Sequence, residues 1–222
     1  MKISEIFYSV QGEGALIGVP SVFVRTTGCN LRCSWCDTPY TSWQPEGVDM
    51  SVAEILDQVA GFPANHVVLT GGEPMIAPQV PELLTKFKAR GLHVTIETAG
   101  TVDSNVNCDL MSISPKLSNS TPEGRFQVQH DRLRINTAVL RSLMRFPHQL
   151  KFVIAAPSDL AEVRQLVREI DAKPGSVMLM PEGVEQSVLR ERSLWLVEEA
   201  KRYGYRFSPR LHVDLYGNKR GV

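Results

Sequence analysis

The chain has 222 residues, of which 43% are hydrophobic, and its 24 Lys and Arg balance its 24 Asp and Glu. A zero formal net charge without a long basic run argues against a nucleic-acid partner. The start, MKISEIFYSV, has no apolar segment behind a basic residue, and no apolar run approaches the roughly 18 residues of a membrane span. We therefore expect a cytoplasmic protein that binds a small ligand and no membrane.

Six short apolar or β-branched runs predict buried strands, because each one ends in Gly, Pro, Ser or Thr. The predicted strands lie at residues 21–28, 66–74, 93–100, 110–116, 150–157 and 176–183. Helical spacing separates several of them. The predicted helices lie at 51–59, 80–87, 159–170 and 187–203, with a weaker pattern at 132–145. Ser51 with Glu54 forms a capping box, and Gly91 and Gly204 are typical helix ends.

The alternation of strands and helices predicts βα units with a parallel sheet. Residues 101–109 leave too little room for a full crossover helix between the third and fourth predicted strands. We therefore predict an α/β fold, an incomplete and reduced (β/α) barrel of about six parallel strands, formed by one domain over residues 1–222. In such folds ligands bind at the carboxyl ends of the strands, so the active site is expected there.

Three cysteines follow the first predicted strand in the spacing C-x3-C-x2-C, at Cys29, Cys33 and Cys36. Cys108 and His66 precede predicted strands, so they are expected at the opposite rim and are not predicted ligands. A structural zinc site would need four protein ligands, and the sequence has no second pair. A [4Fe-4S] cluster suits the loop better, because three thiolates leave one iron open to a small molecule.

This cysteine loop, with Trp35 before the last cysteine, resembles the radical S-adenosylmethionine superfamily. The resemblance implies that the amino and carboxylate groups of S-adenosylmethionine chelate the open iron, and that the reduced cluster cleaves it to a hydrogen-abstracting adenosyl radical. It further implies that Gly72, in TGGEP, and Ser114, Pro115 and Lys116, in ISPK, bind S-adenosylmethionine. From the residues alone, a tight turn into a helix explains TGGEP equally well.

One polar residue lies within the first predicted strand, and one polar segment precedes it. Arg25 lies inside it, and a buried guanidinium needs an anionic partner. Either a structural carboxylate such as Glu97 or a ligand carboxylate would serve. The glycine-rich segment EIFYSVQGEG, residues 5–14, contains Gln11 and Glu13, which suit the N–H and amino groups of a nitrogen heterocycle. A hairpin would explain the glycines of this segment but not its two polar side chains.

Together with GVPSVFVRTTGCNLRCSWCDT, ETAG, SPK and the closing HVDLYGNKRGV, these motifs resemble the 7-carboxy-7-deazaguanine synthase family nearly end to end. The resemblance implies a lyase of queuosine biosynthesis. Its substrate would be 6-carboxy-5,6,7,8-tetrahydropterin, which loses the C6 hydrogen, contracts its ring and releases ammonia.

The same resemblance implies a set of binding residues and partners. The implied substrate contacts are Val10, Gln11, Gly12, Arg25 and Thr70. Thr38 would ligate Mg²⁺, although a helix N-cap is the commoner role of a threonine that precedes a helix. A homodimer and an electron donor such as a flavodoxin are also implied. The roles of residues 180–183 and of the tail at 217–222 stay open.

Two other functions compete with this interpretation. A glycyl-radical activating enzyme uses the same cysteine spacing on a partner protein, but it does not require the QGEG segment. A non-catalytic iron-sulfur electron carrier would need a fourth cysteine and no loops for S-adenosylmethionine. Both are disfavoured, the electron carrier more strongly.

Overall fold

The structure is a computed structural model that describes all 222 residues. Nine strands join in one open sheet in the order β3-β1-β2-β4-β5-β6-β7-β8-β9. They are β1 (Lys2–Val10), β2 (Pro20–Thr26), β3 (Val48–Asp49), β4 (His66–Gly71), β5 (His93–Thr98), β6 (Leu110–Ile113), β7 (His148–Ile154), β8 (Val177–Pro181) and β9 (Arg206–Phe207).

The parallel part of the sheet runs from β2 to β9, and it contains all six predicted strands. The incomplete barrel is therefore confirmed. The differences lie at the two edges. β1 pairs antiparallel with both β2 and β3, and β9 adds two residues after β8. Strands of two residues are too short for a hydrophobic period, and the polar, glycine-rich segment that follows β1 hid its strand pattern.

Eight helices accompany the sheet. They are α1 (Pro39–Ser42), α2 (Val52–Ala60), α3 (Val80–Ala89), α4 (Gln127–Leu133), α5 (Thr137–Leu143), α6 (Asp159–Glu169), α7 (Gln186–Tyr203) and α8 (Leu211–Tyr216). The capping box of Ser51 and Glu54 is formed, and Gly204 ends α7 at φ 67°. The weaker pattern at 132–145 corresponds to two short helices, because Asn136 caps a new helix after α4 ends.

The core lies between the sheet and its helices, where 35 buried side chains form one cluster that includes Cys108. The cysteine loop has a separate small cluster of its own. At the amino ends of the strands, the rings of His66 and His93 stand 4.7 Å apart. Both residues and Cys108 therefore lie away from the carboxyl rim, as was predicted for His66 and Cys108. None of the helices is long and apolar enough to cross a membrane. The single domain remains a prediction.

Candidate active site

A cavity of about 430 Å³ opens at the carboxyl rim of the sheet. Nine of the predicted site residues line it: Val10, Gln11, Gly12, Arg25, Thr38, Thr70, Gly72, Ser114 and Lys116. Pro115 is buried outside this lining, and the three cysteines lie beside the cavity next to Trp35, which does line it. The last five residues, 218–222, form one wall of the cavity. The structure thus brings loops from most of the strands to one place.

The three predicted cluster ligands, Cys29, Cys33 and Cys36, pack against Leu31 and Ala99 in the small apolar cluster. Burial raises the pKa of Cys29 to about 11 and that of Cys33 to about 12. A thiolate there consequently needs a metal to replace its proton. No three His, Cys, Asp or Glu side chains converge as a single metal ion requires. The loop would fit a [4Fe-4S] cluster, in which three of the four irons would each take one of these thiolates.

His130 supports the cysteine loop from below. Its buried ring accepts a hydrogen bond at Nδ1 from the Arg32 N–H, at 3.1 Å. Nε2 lies 2.9 Å from the hydroxyl of Ser120, which itself donates to the carbonyl of Leu117. The network therefore assigns the neutral tautomer with the proton on Nε2. Burial lowers the pKa of His130, which favours this neutral form.

The glycine loop after β4 is packed directly against the cysteine loop. A Cβ on Gly72 would lie 2.2 Å from the carbonyl oxygen of Gly28 and 2.9 Å from the Cβ of Cys29. The N–H of Glu73 also donates to the Gly28 carbonyl at 2.9 Å. The close approach that a glycine permits at this position is thus to the neighbouring loop. Gly72 also lines the cavity, so this residue borders both the cysteine loop and the cavity.

Glu73 joins a third loop to these two. Its fully buried carboxylate accepts hydrogen bonds from the hydroxyl of Thr98 and the N–H of Ala99. Burial raises the pKa of Glu73, and the hydrogen bonds only partly oppose this effect. In the loop after β6, Nζ of Lys116 lies 2.8 Å from the Ser114 hydroxyl and 5.5 Å from the centre of the Trp35 ring. A cation and a hydroxyl therefore border the cavity beside the cysteines.

The anionic partner of Arg25 within the protein is Glu5, and Glu97, one of the two alternatives considered, does not pair with it. Nε of Arg25 donates to Glu5 at 2.7 Å, because the register of β1 and β2 places the two residues opposite each other. Tyr40 donates to the same carboxylate oxygen at 3.0 Å. Glu97 instead accepts a hydrogen bond from Nε2 of Gln11, at 3.1 Å. The two terminal nitrogens of Arg25 have no hydrogen-bond partner in the protein, although the side chain lines the cavity.

A buried charge network that was not predicted from the sequence centres on Glu13 of the QGEG segment. Glu13 forms ion pairs with Lys151 and with Nε of Arg210, the latter at 3.1 Å. Nη2 of Arg210 also donates to Asp37, at 2.5 Å. Burial raises the pKa of Glu13, but the cations and His212 more than offset this and hold it well below its usual range. Lys151 had a detectable signal, since it interrupts a buried strand, but Arg210 follows a strand too short to predict.

Thr38 occupies the N-cap position of α1, yet its side chain makes no capping hydrogen bond. Its hydroxyl lies 3.4 Å from that of Thr41 and lines the cavity. The common structural role of this residue type is therefore not used here. A hydroxyl that faces a cavity, next to a carboxylate at Asp37, fits a hard cation that keeps most of its waters.

Residues 23–137 match the radical SAM superfamily. The chain is 44% identical to the 7-carboxy-7-deazaguanine synthase of Rhodopirellula baltica, an alignment that covers 100% of this chain and 89% of the relative. It is 45% identical to the 7-carboxy-7-deazaguanine synthase of Halobacterium salinarum, over 98% of this chain and 91% of that one.

Two solved structures resemble the fold. The crystal structure of QueE from Escherichia coli has a TM-score of 0.75 and 26% sequence identity, and the match covers 95% of this chain and 94% of that chain. Streptococcus suis SuiB bound to S-adenosylmethionine has a TM-score of 0.56 and 12% identity, with coverage of 82% and 48%. The similarity to SuiB concerns the fold alone.

Proposed function

The chain belongs to the radical SAM superfamily and, within it, to the 7-carboxy-7-deazaguanine synthase family, and from this we propose that it converts 6-carboxy-5,6,7,8-tetrahydropterin to 7-carboxy-7-deazaguanine. The reaction removes the C6 hydrogen, contracts the ring and releases ammonia, which makes the enzyme a carbon-nitrogen lyase. The observation that carries the proposal is one cavity that places the QGEG segment and Arg25 beside the cysteine loop.

The polar lining of the cavity supports an acidic pterin as the substrate. The terminal nitrogens of Arg25 can bind the C6 carboxylate in a two-pronged arrangement, while Nε stays on Glu5. Gln11, fixed to Glu97, offers an amide to the ring, and Thr70 adds a hydroxyl in the lining. Val10 and Gly12 shape the same wall. These residues would orient the C6 position toward the cysteine loop.

The family uses a [4Fe-4S] cluster and S-adenosylmethionine. Cys29, Cys33 and Cys36 would hold the cluster, and when bound these cofactors supply the one-electron chemistry that removes the substrate hydrogen. Gly72 and the 114–116 loop would bind S-adenosylmethionine, with Lys116 facing its carboxylate. Pro115, which is buried, would fix the backbone of that loop instead of reaching the cavity.

Mg²⁺ is the third component of the proposal, and Thr38 would be its protein ligand. The hydroxyl of Thr38 does not cap α1, which supports this role. Because the cation would keep most of its waters, an anionic substrate must supply its remaining ligands. A Thr38→Ala variant should need more Mg²⁺ for turnover, and a variant with wild-type affinity for Mg²⁺ and wild-type Mg²⁺ dependence would contradict the assignment.

The tail at 218–222 forms one wall of the cavity and would restrict access of water to it. Its guanidinium, on Arg220, lies 4.1 Å from the centre of the Tyr40 ring and forms ion pairs with Glu5 at 3.3 Å and Glu46 at 3.0 Å. Glu5 therefore binds both Arg25 and the tail. Reactive intermediates need exclusion of solvent, which this wall would provide.

We propose that electrons enter through a surface beside the cysteine loop, formed by Arg32, Trp43, Arg125 and Phe126. Trp43 packs edge-on against Phe126 at 5.6 Å, and its indole N–H donates to the carbonyl of Cys33 at 2.9 Å. Arg32 and Arg125 lie over the Phe126 ring. Such a cationic and aromatic surface suits an acidic carrier such as a flavodoxin.

Charge reversal tests this surface. The Arg125→Glu variant should slow reduction by flavodoxin but not by dithionite, whereas Arg190→Glu on α7 should change neither rate. Equal slowing with both reductants would contradict the docking role.

We also propose a homodimer in the cytoplasm. Sedimentation analysis tests the dimer, and cell fractionation tests the location.

The activity itself is tested by anaerobic reconstitution, reduction and incubation with the pterin, S-adenosylmethionine and Mg²⁺. We expect 7-carboxy-7-deazaguanine, with S-adenosylmethionine regenerated. The family membership favours this function over a glycyl-radical activating enzyme. Formation of a glycyl radical on a partner protein, without any deazaguanine product, would reverse that choice.

A further inference from the structure

Arg210 joins three separate parts of the cavity wall, and its side chain is only 8% exposed. Nε donates to Glu13 of the QGEG segment at 3.1 Å, and Nη1 donates to the carbonyl of Gly183 after β8 at 2.6 Å. Nη2 donates to Asp37 at 2.5 Å. All three nitrogens of the guanidinium are thus used, each on a different loop. A lysine could not reproduce this planar arrangement of donors.

The segment that contains Arg210 is itself fixed to the QGEG segment. The N–H of Gly14 donates to the hydroxyl of Ser208 at 2.8 Å, and the N–H of Leu211 donates to the carbonyl of Gly12 at 2.9 Å. A Cβ on Gly12 would lie 1.9 Å from Nδ1 of His212. The position of Arg210 is therefore defined by the substrate segment.

Asp37 connects Arg210 to the metal side of the cavity. It lies between Cys36, a cluster ligand, and Thr38, the proposed Mg²⁺ ligand. Arg210 provides the one hydrogen bond that its carboxylate accepts within the protein. Without Arg210, nothing in the protein would hold this carboxylate on the side of the QGEG segment, and Thr38 would lose the anchor next to it.

We propose that Arg210 is a positioning residue that couples the proposed Mg²⁺ site at Thr38 to the substrate segment, so that the pterin and Mg²⁺ bind interdependently. This inference rests on the proposed function. Arg210 acts through Glu13 and Asp37 and touches neither the substrate nor the cation in this role. Its removal should weaken the coupling between two ligands, which differs from a general loss of affinity.

The experiment measures pterin binding by anaerobic equilibrium dialysis, with reconstituted and unreduced enzyme plus S-adenosylmethionine, so that no turnover occurs. Dissociation constants of the pterin are determined with Mg²⁺ and with a chelator. The constant with chelator divided by the constant with Mg²⁺ reports the coupling. We expect Arg210→Gln to reduce this ratio by about tenfold, the factor typical of losing a hydrogen bond between charged groups. Arg210→Lys should lie between Gln and wild type. Arg90→Gln, at the amino rim, should match wild type.

A general structural role for Arg210 would raise both dissociation constants equally and leave the ratio unchanged, which would overturn the inference. A wild-type ratio near one would overturn it as well, while leaving the proposed substrate intact. Wild-type enzyme that binds no pterin in either condition would overturn the proposed function and this inference with it. Cluster absorbance should be the same in all variants; loss of the cluster in Arg210→Gln would count as the structural role.

Discussion

In the cavity that opens at the carboxyl rim, Glu13 pairs with Lys151 and Arg210, which lie 138 and 197 residues away in the chain. At the amino rim, Asp109 pairs with Lys88, only 21 residues away, and accepts the N–H of Val94. The first pair of cations is buried, while the Lys88–Asp109 pair is about 30% exposed. One rim thus gathers charges from distant loops around a cavity, and the other uses a local pair to fix the ends of neighbouring elements.

The largest contrast between the rims concerns their cysteines. Replacement of Cys29, Cys33 or Cys36 by Ala should abolish both cluster retention and turnover, because each thiolate holds one iron. The Cys108→Ala variant should keep both, since its thiol is buried in the main core. Iron content and visible absorbance after reconstitution measure the outcome. Full cluster content in any of the first three variants would contradict the ligand assignment.

Ion pairs at the two rims should differ next. Glu13→Gln leaves two buried cations without their carboxylate, so we expect a loss of about 3–5 kcal/mol in the free energy of unfolding. Asp109→Asn breaks a partly exposed pair and should cost about 1 kcal/mol or less. Urea unfolding of the reconstituted proteins at pH 7.5 compares them. Equal losses would mean that the buried network is no more than a surface pair in energetic terms.

Replacement of a glycine by alanine should also have different effects at the two rims. Gly72→Ala places a Cβ against the Gly28 carbonyl, so it should cost about 1–3 kcal/mol and loosen the cysteine loop. Gly175→Ala, before β8, meets open space and should be neutral or slightly stabilising. Thermal unfolding and the rate of cluster loss in a chelator distinguish the two. A Gly72→Ala variant as stable as Gly175→Ala would show that the loops can move apart freely.

The smallest expected effect is a pH dependence at His130. Burial lowers its pKa in the folded protein below the value of 6.5, so the unfolded chain binds more protons in that range. Its contribution to stability is complete above pH 6.5 and falls as the pH drops toward the folded pKa. Urea unfolding of apoprotein at pH 5.5 and 7.5 should show a smaller pH difference for His130→Gln than for wild type. An unchanged difference would mean that His130 is not held neutral.

Apolar runs and helical spacing predicted six of the seven parallel strands and the main helices, and the strand-end rule placed the cysteine, glycine and ISPK loops on one rim. Arg25 was predicted to need an anion, but its partner came from β1, a strand concealed by the polar, glycine-rich segment that follows it. Arg210 and Asp37 could not be paired in advance. Their contact depends on the register of a two-residue strand at the far edge of the sheet, which no local pattern encodes.

The wide chain separation within the Arg210 network also sets an order of assembly. The cysteine loop is supported by residues up to His130, whereas the cavity wall needs Arg210. A growing chain can therefore complete the scaffold of the cluster while the substrate pocket is still missing. Closing the 197 residues between Glu13 and Arg210 costs more entropy than closing the 98 residues between Arg32 and His130. We expect refolding followed by hydrogen exchange to protect the Arg32 amide before that of Leu211; the reverse order would refute this sequence of events.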